Sequence, residues 1–269
     1  MKVNGTLVLV TGAGSGMGRE LTLELVRRGA RVAAVDMRID TLQETKDIAG
    51  PGVEIFPLDV TNREEVAELP EKIRVAMGAI DILINNAGII QSFVPIQELA
   101  VEDAERVMNV NFYGPLTMIQ AFLPTLRSRP KAHILNVSSM GAYAPVPGQS
   151  VYGASKAALK LLTEGLRSEL LDTDVGTTIA FPGAVATNIT TNSGIAIPKT
   201  NAEAPQFKSL DAPSAARIMI DAIEKDKARV TVGKDARTMD ILSRINPIFA
   251  ANLIYKQMKS LLGISPLDN

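Results

Sequence analysis

Two side chains in the run Ser150-Val-Tyr-Gly-Ala-Ser-Lys-Ala-Ala-Leu159 stand four positions apart, Tyr152 and Lys156. The run forms helix readily, and at helical spacing the two lie one above the other on a single face. On a solvated face such a pair is inert. Beside a cofactor, the ammonium favours the tyrosinate and draws a phenol of ordinary pKa about 10 towards neutrality.

A second run could do a different kind of chemistry. Thr11-Gly-Ala-Gly-Ser-Gly-Met-Gly18 follows a short apolar stretch and opens an amphipathic one. Glycines let the backbone turn tightly and approach a pyrophosphate, which then rests on the first amides of the helix. The spacing is not G-x-G-x-x-G, because Met17 and Arg19 stand where a glycine would be required. It fits T-G-x-x-x-G-x-G through Gly12, Gly16 and Gly18; the alternative is a plain turn between strand and helix. The next apolar run ends in Val35-Asp36. An acid there accepts hydrogen bonds from both adenosine ribose hydroxyls and repels a 2′-phosphate. Neither Ser15 nor Met37 is basic, although Arg38 softens the discrimination. These residues predict NAD in preference to NADP.

The elements that must carry these residues alternate along the chain. Short aliphatic runs at Thr6–Val10, Arg31–Val35, Val53–Pro57, Asp81–Ile84, Ala132–Val137, Thr177–Phe181 and Arg229–Val232 read as strands. Their apolar residues run without alternation, which predicts burial on both faces in a parallel sheet. Met17–Arg28, Arg63–Met77, Glu102–Leu126, Val151–Leu171 and Ser214–Glu224 read as helices. The expected architecture is α/β, a Rossmann-type doubly wound parallel sheet of seven strands with helices on both faces. One domain over 1–269 is the simplest organisation, with a core at about 3–235 and a helical extension at about 236–269. Ala186–Pro213 reads as a long irregular segment, and such loops are usually functional. In the tail, Ile241, Leu242, Ile245, Ile248, Phe249, Leu253, Ile254, Met258, Leu261 and Leu262 suggest two amphipathic helices broken near Pro247.

Composition narrows the chemistry. The 269 residues carry a formal net charge of −1, which gives no reason to expect nucleic acid as a partner. With no cysteine, thiol nucleophiles, thiolate metal sites and disulfides are excluded. The only histidine, His133, has no partners at a recognisable spacing and reads as a strand-start residue. No G-x-S-x-G nucleophile elbow occurs. The N-terminal run lacks the pattern of a signal peptide, and no apolar run approaches the roughly 18 residues of a membrane span. A soluble cytoplasmic protein without a metal is expected.

Taken in order, Gly12–Gly18, Asn85-Asn-Ala-Gly88, Asn109-Val-Asn-Phe-Tyr-Gly114, Asn136-Val-Ser-Ser139, Tyr152-x-x-x-Lys156 and Pro182-Gly183 resemble the short-chain dehydrogenase/reductase family in its compact branch. The resemblance spans roughly residues 3 to 235. It implies that Tyr152 is the general acid/base, that Lys156 binds the nicotinamide ribose and assists it, and that Ser139 hydrogen-bonds the substrate oxygen. Asn111, three before Gly114, would hold a water linking the lysine to solvent; Ser138 would touch structure or cofactor. For the cofactor it implies contacts from Gly12, Ser15, Gly16, Met17 and Gly18, from Asp36, and from Asp59 and Val60 around the adenine. Asn86, Ala87 and Gly88 would line the ribose, while Pro182, Gly183, Val185 and Thr187 would cover the nicotinamide.

The function these readings imply is an NAD-dependent oxidoreductase acting on a secondary alcohol or ketone, small to mid-sized and partly apolar. The alternatives are a 3-oxoacyl thioester reductase of the same family and a non-catalytic NAD(H)-sensing protein. The helix Glu102–Leu126 and the one bearing Tyr152 often form a dimer face in the family, so a homodimer or homotetramer is expected. The tail could pack on the body, join a partner subunit, close over the substrate or lie on a membrane, where Lys256 and Lys259 would assist. Packing is the simplest of these.

Overall fold

The computed structural model describes residues 1–187, 189–195 and 209–258. Lys259, Leu261 and Leu262, named above for the tail, lie outside them. The elements in chain order are β1 Leu7–Thr11, α1 Gly16–Arg27, β2 Arg31–Asp36, α2 Ile39–Ala49, β3 Val53–Pro57, α3 Arg63–Ala76 and β4 Ile82–Asn85. There follow α4 Val101–Met108, α5 Gly114–Arg127, β5 Ala132–Val137, α6 Ser150–Glu169 and β6 Val175–Pro182. The remainder are β7 Val185–Ala186, α7 Ile189–Asn192, β8 Leu210–Asp211, α8 Ala212–Glu224, β9 Arg229–Val232, α9 Lys234–Ile245 and α10 Pro247–Met258.

Seven strands form one sheet in the order β3-β2-β1-β4-β5-β6-β9, and every pairing is parallel. The side chains of β1 explain why its run is apolar without alternation. Val8 and Val10 enter a core shared with Leu21 and Leu25 of α1 and Met219 and Ile220 of α8. Leu7 and Leu9 enter a second core with Val66, Leu69 and Ile73 of α3 and Met118 and Phe122 of α5. A strand covered on both faces has no solvent side to make polar. Strand order reverses between β1 and β4, and at such a switch the crevice beyond the carboxyl ends is where open α/β sheets take ligands.

Three features differ from the sequence reading. Helix α2 has no counterpart in it, because its only buried side chains are Leu42 and Thr45 and the apolar stripe is too thin to see. Glu102–Leu126 is not one regular helix: Asn109–Tyr113 between α4 and α5 is π-helical. The described part of 186–213 contains α7 and all but Val185 of a two-stranded parallel ladder, Val185↔Leu210 and Ala186↔Asp211. His133 stands at the start of β5 as expected, its second residue and buried. The tail forms the two expected helices, with the break at Asn246. Ala250 and Ile254 of α10 pack with Met239 of α9 on Ala144, flanked by Met140, Tyr143 and Val146. Those residues follow Ser139, so the tail packs on the body at the same edge as the candidate site. Among the described residues no helix is long and apolar enough to cross a membrane.

Candidate active site

A groove of about 200 Å³ opens beyond the carboxyl ends of β1, β2 and β4. Of the residues expected to touch a cofactor, Gly12, Ser15, Gly16, Met17, Gly18, Asp36, Asp59, Val60, Asn86, Ala87, Gly88 and Thr187 line it. Tyr152 and Lys156, the latter expected on the nicotinamide ribose, are not in its wall, nor are Pro182, Gly183 and Val185, which lie at and just beyond the end of β6.

The glycine loop fits a dinucleotide by what it leaves out. Gly12 and Gly16 have φ of +67° and +53°, the left-handed region that side chains resist. A Cβ on Gly18 would collide with the Gly12 carbonyl, and one on Gly12 would come within 3.0 Å of Ala87 Cα and of Asn86 Nδ2. The cradle is therefore bare backbone at the start of α1, the shape and polarity a pyrophosphate requires. Arg19, to which the sequence reading gave no role, stiffens it from behind. Its Nη2 donates to the Gly14 carbonyl at 2.6 Å and to Glu44 at 2.7 Å. Asn86 Nδ2 donates to the Thr11 carbonyl at 2.9 Å, and Thr11 Oγ1 accepts from the backbone of Asn86 and Ala87 at 3.0 Å. These bonds lock β1 to β4 at the switch point.

Asp36 stands at the adenosine end. Oδ2 accepts from the Gly14 amide and Oδ1 from the Arg38 amide, each at 3.1 Å. The Arg38 side chain turns to α7, where Nη2 donates to Asn192 Oδ1 at 3.2 Å and approaches Ser15 Oγ at 3.5 Å. Asn192 Nδ2 donates to Ser15 Oγ at 2.8 Å, so α7 is fastened across the mouth of the glycine loop.

The four expected catalytic residues converge from β5, the π segment and α6. An ideal Cβ on Gly141 would lie 3.4 Å from Ser139 Oγ and 3.5 Å from Tyr152 Cε1. One on Gly88 would lie 3.1 Å from Lys156 Nζ and 3.2 Å from Asn111 Oδ1. Two glycines thus provide the space in which these side chains meet, one of them in the groove wall. Ser138 Oγ donates to the Lys156 carbonyl at 2.8 Å, a structural bond that pins α6 to the end of β5.

The electrostatics differ from the simple expectation for Tyr152 and Lys156. Lys156 Nζ sits 6.0 Å from the centroid of the Tyr152 ring and donates to the Val137 carbonyl at 3.1 Å. Burial pushes its pKa down to about 8, since a low-dielectric site disfavours the cation. Burial pushes the Tyr152 phenol up, and a hydrogen bond with Ser139 works in the opposite direction. The hydrogen bond from Ser139 thus favours the tyrosinate against the cost of burial.

Asn111 is fully buried in the π segment. Its Oδ1 accepts from the Ile89 amide at 2.9 Å, and its Nδ2 donates to the Ile89 carbonyl at 2.9 Å and to Ser155 Oγ at 3.0 Å. Both amide hydrogens are spent, which leaves one lone pair of Oδ1 for a further donor. A π turn inside a helix commonly marks a functional position. Here it aims Asn111 inward between the 88–91 segment and α6.

Sequence reasoning missed Gln91, Gln149, Ser155, Asn192 and Ser193, all polar and all tied to this cluster. Nothing in their spacing announces them, because each finds its partner through a distant part of the chain. Ile90 N donates to Ser193 Oγ at 3.0 Å across 103 positions, for example.

This architecture has relatives. The family model described as short chain dehydrogenase matches residues 6–196, and the chain belongs to that family. SadH of Mycobacterium tuberculosis strain H37Rv, whose name places it among oxidoreductases, is 34% identical over 251 residues, 90% of this chain and 91% of its own. A short chain dehydrogenase from Burkholderia cenocepacia J2315, solved in complex with NADP, superposes with a TM-score of 0.81 at 29% identity, covering 94% of this chain and 99% of that one. A short chain dehydrogenase/reductase from Burkholderia phymatum in complex with NAD gives 0.78 at 25% identity, covering 100% and 99%. The protein is an oxidoreductase of this family by descent, and its relatives take either nicotinamide dinucleotide.

Proposed function

We propose that this chain is an NAD-dependent oxidoreductase interconverting a secondary alcohol and its ketone, on a substrate that is partly apolar. The observation that carries the reading is the meeting of Tyr152, Ser139, Lys156 and Asn111 around Gly141 and Gly88. When bound in the groove, the nicotinamide supplies or takes the hydride. The protein then has one proton to manage. Tyr152 exchanges it with the substrate oxygen, while the Ser139 hydroxyl orients that oxygen and hydrogen-bonds the phenol. Lys156, held near pKa 8, is mostly charged at neutral pH, and a phosphate-bearing ligand beside it favours that form further. Asn111 braces the 89–91 segment and keeps one Oδ1 lone pair for a water on the lysine side. Pro182, Gly183 and Val185 shape the nicotinamide end from beyond β6.

NAD preference rests on the carboxylate of Asp36 in the groove wall. The approach of Arg38 to Ser15 favours some tolerance of a 2′-phosphate. The apolar side of the pocket is supported by Met140, Tyr143 and Val146, packed beneath α10. We also read the chain as a homodimer or homotetramer, with the exposed Tyr113 and Leu161 marking the faces of the π segment and α6 that a partner would cover.

The test is direct. The protein is incubated with NAD⁺ or NADP⁺ and a panel of secondary alcohols at mildly alkaline pH, with Tyr152→Phe beside it, and NADH or NADPH absorbance is followed. Tyrosine-dependent formation of NADH is the expected result. Turnover with NADP⁺ alone would overturn the reading of Asp36. Tight NADH binding with no turnover on any alcohol or on 3-oxoacyl thioesters would favour a sensor.

A further inference from the structure

Helix α6 begins without a cap of its own. Four amides at the start of a helix have no partner within it, and nature usually supplies an Asp, Asn, Ser or Thr just before the first turn. Here the preceding residue is Gln149, whose side chain caps nothing, and no acid occurs in the first turn. The first turns of α2, α3, α4 and α9 all carry at least one acid. The first turns of α1, α5, α8 and α10 carry none, so what sets α6 apart is the origin of its cap rather than its lack of charge.

The missing acceptor comes from 60 residues away. Gln91 Oε1 accepts from the Val151 amide at 2.8 Å and from the Tyr152 amide at 2.9 Å. Gln91 is fully buried, and Gln149 Nε2 donates to its backbone carbonyl at 2.7 Å, closing a two-glutamine clasp. The same short segment is held by Asn111 at Ile89 and by Ser193 at Ile90. Among the described residues Gln91 Nε2 has no partner despite its burial. What the amide does provide is a neutral acceptor fixed at the amide of the tyrosine.

We infer that Gln91 is a positioning residue for Tyr152. It caps α6 without adding charge, so that the positive end of the helix dipole still favours the tyrosinate. It also ties the tyrosine to the same splint that holds Asn111 and the 189–193 segment. The inference rests on the role given above to Tyr152.

Three variants test it in the full-length protein with NAD⁺. Gln91→Ala is expected to lower kcat about 10-fold or more with KM for NAD⁺ within about twofold, as loss of orientation at one catalytic group would. Gln91→Glu restores the cap but places a carboxylate there, so it should recover part of kcat while moving the inflection of kcat/KM with pH upward by about one unit. Gln91→Met fills the space without an acceptor and should behave as Ala does. Wild-type kcat in Gln91→Ala, or an unmoved pH profile in Gln91→Glu, overturns the inference. A purely structural role would lower stability and leave the profile where it was. Carbon-13 NMR of the labelled Tyr152 ring, assigned with Tyr152→Phe, gives the same comparison without any substrate. Should the wild type turn over no alcohol, an upward shift of the tyrosine titration in Gln91→Glu supports the positioning role, and its absence overturns it, whatever becomes of the substrate assignment.

Discussion

Strand β5 has a buried titratable group near each end, and the two have opposite fates. At the carboxyl end Lys156 donates to the Val137 carbonyl, and burial pushes its pKa down to about 8. At the amino end burial pushes His133 down to about 4, against the pull of Asp226 at 3.7 Å. A hollow of about 240 Å³ borders the histidine end, and the groove of about 200 Å³ reaches Gly88 beside Lys156 at the other. Neither a perturbed group nor a cavity separates a site from a scaffold. What differs is convergence. Around Lys156 a tyrosine, a serine and an asparagine arrive from three elements beside bare glycine backbone. His133 Nε2 meets Thr178 Oγ1 at 2.8 Å, and that hydroxyl donates onward to the Lys227 carbonyl at 2.7 Å. The onward bond makes Nε2 the donor, and with burial holding its pKa near 4 the imidazole is neutral at pH 7 and consumed by packing. Perturbation points to function only when the neighbours can share the chemistry.

The contrast can be broken most severely at the carboxyl end. Tyr152→Phe keeps the ring and loses the proton, and turnover should fall about 10²–10⁴-fold with NADH binding and thermal midpoint unchanged. A variant that kept its activity would remove the distinction between the two ends. At the amino end the effect is on stability. His133 binds a proton at about 6.5 when unfolded and at about 4 when folded, so the native state is favoured above pH 6.5 and loses ground as pH falls towards 4. At about 1.4 kcal/mol per pH unit the loss approaches roughly 3 kcal/mol. Urea titrations from pH 7.5 to 4 should show it, and His133→Asn should flatten that part of the curve while leaving kcat near wild type. Thr178→Val strands the histidine donor and should cost about 1–3 kcal/mol at pH 7, again with activity retained. Smallest is Gly88→Ala, whose methyl would press on Lys156 Nζ and Asn111 Oδ1. About a tenfold fall in kcat/KM is expected, equivalent to about 1.4 kcal/mol, with little change in the urea midpoint.

The parts of this contrast that could be read from sequence are those written in local pattern. The strand runs, the glycine loop, Asp36 and the Tyr152–Lys156 spacing all advertise themselves within a few residues. Helix α2 did not, because it lies on the surface of the sheet with only Leu42 and Thr45 buried. The π turn at Asn109–Tyr113 is a matter of one added backbone residue per turn, which side-chain periodicity does not record. Gln91 was illegible for a different reason: its partners lie 60 and 61 positions away. For Tyr152, type and spacing suggested a role, yet the balance of burial against Ser139 that sets its proton affinity exists only after folding.

The parallel sheet has a kinetic consequence. Thr11 meets Asn86 across 75 positions, Asn111 meets Ser155 across 44, and Ile90 meets Ser193 across 103. Each such closure carries a chain-entropy cost that must be met before the contact rewards it, and topologies built this way fold slowly. Catalysis should therefore return on refolding only with the last long-range closure, after helical content and collapse are complete, so that regained activity marks the end of the folding reaction.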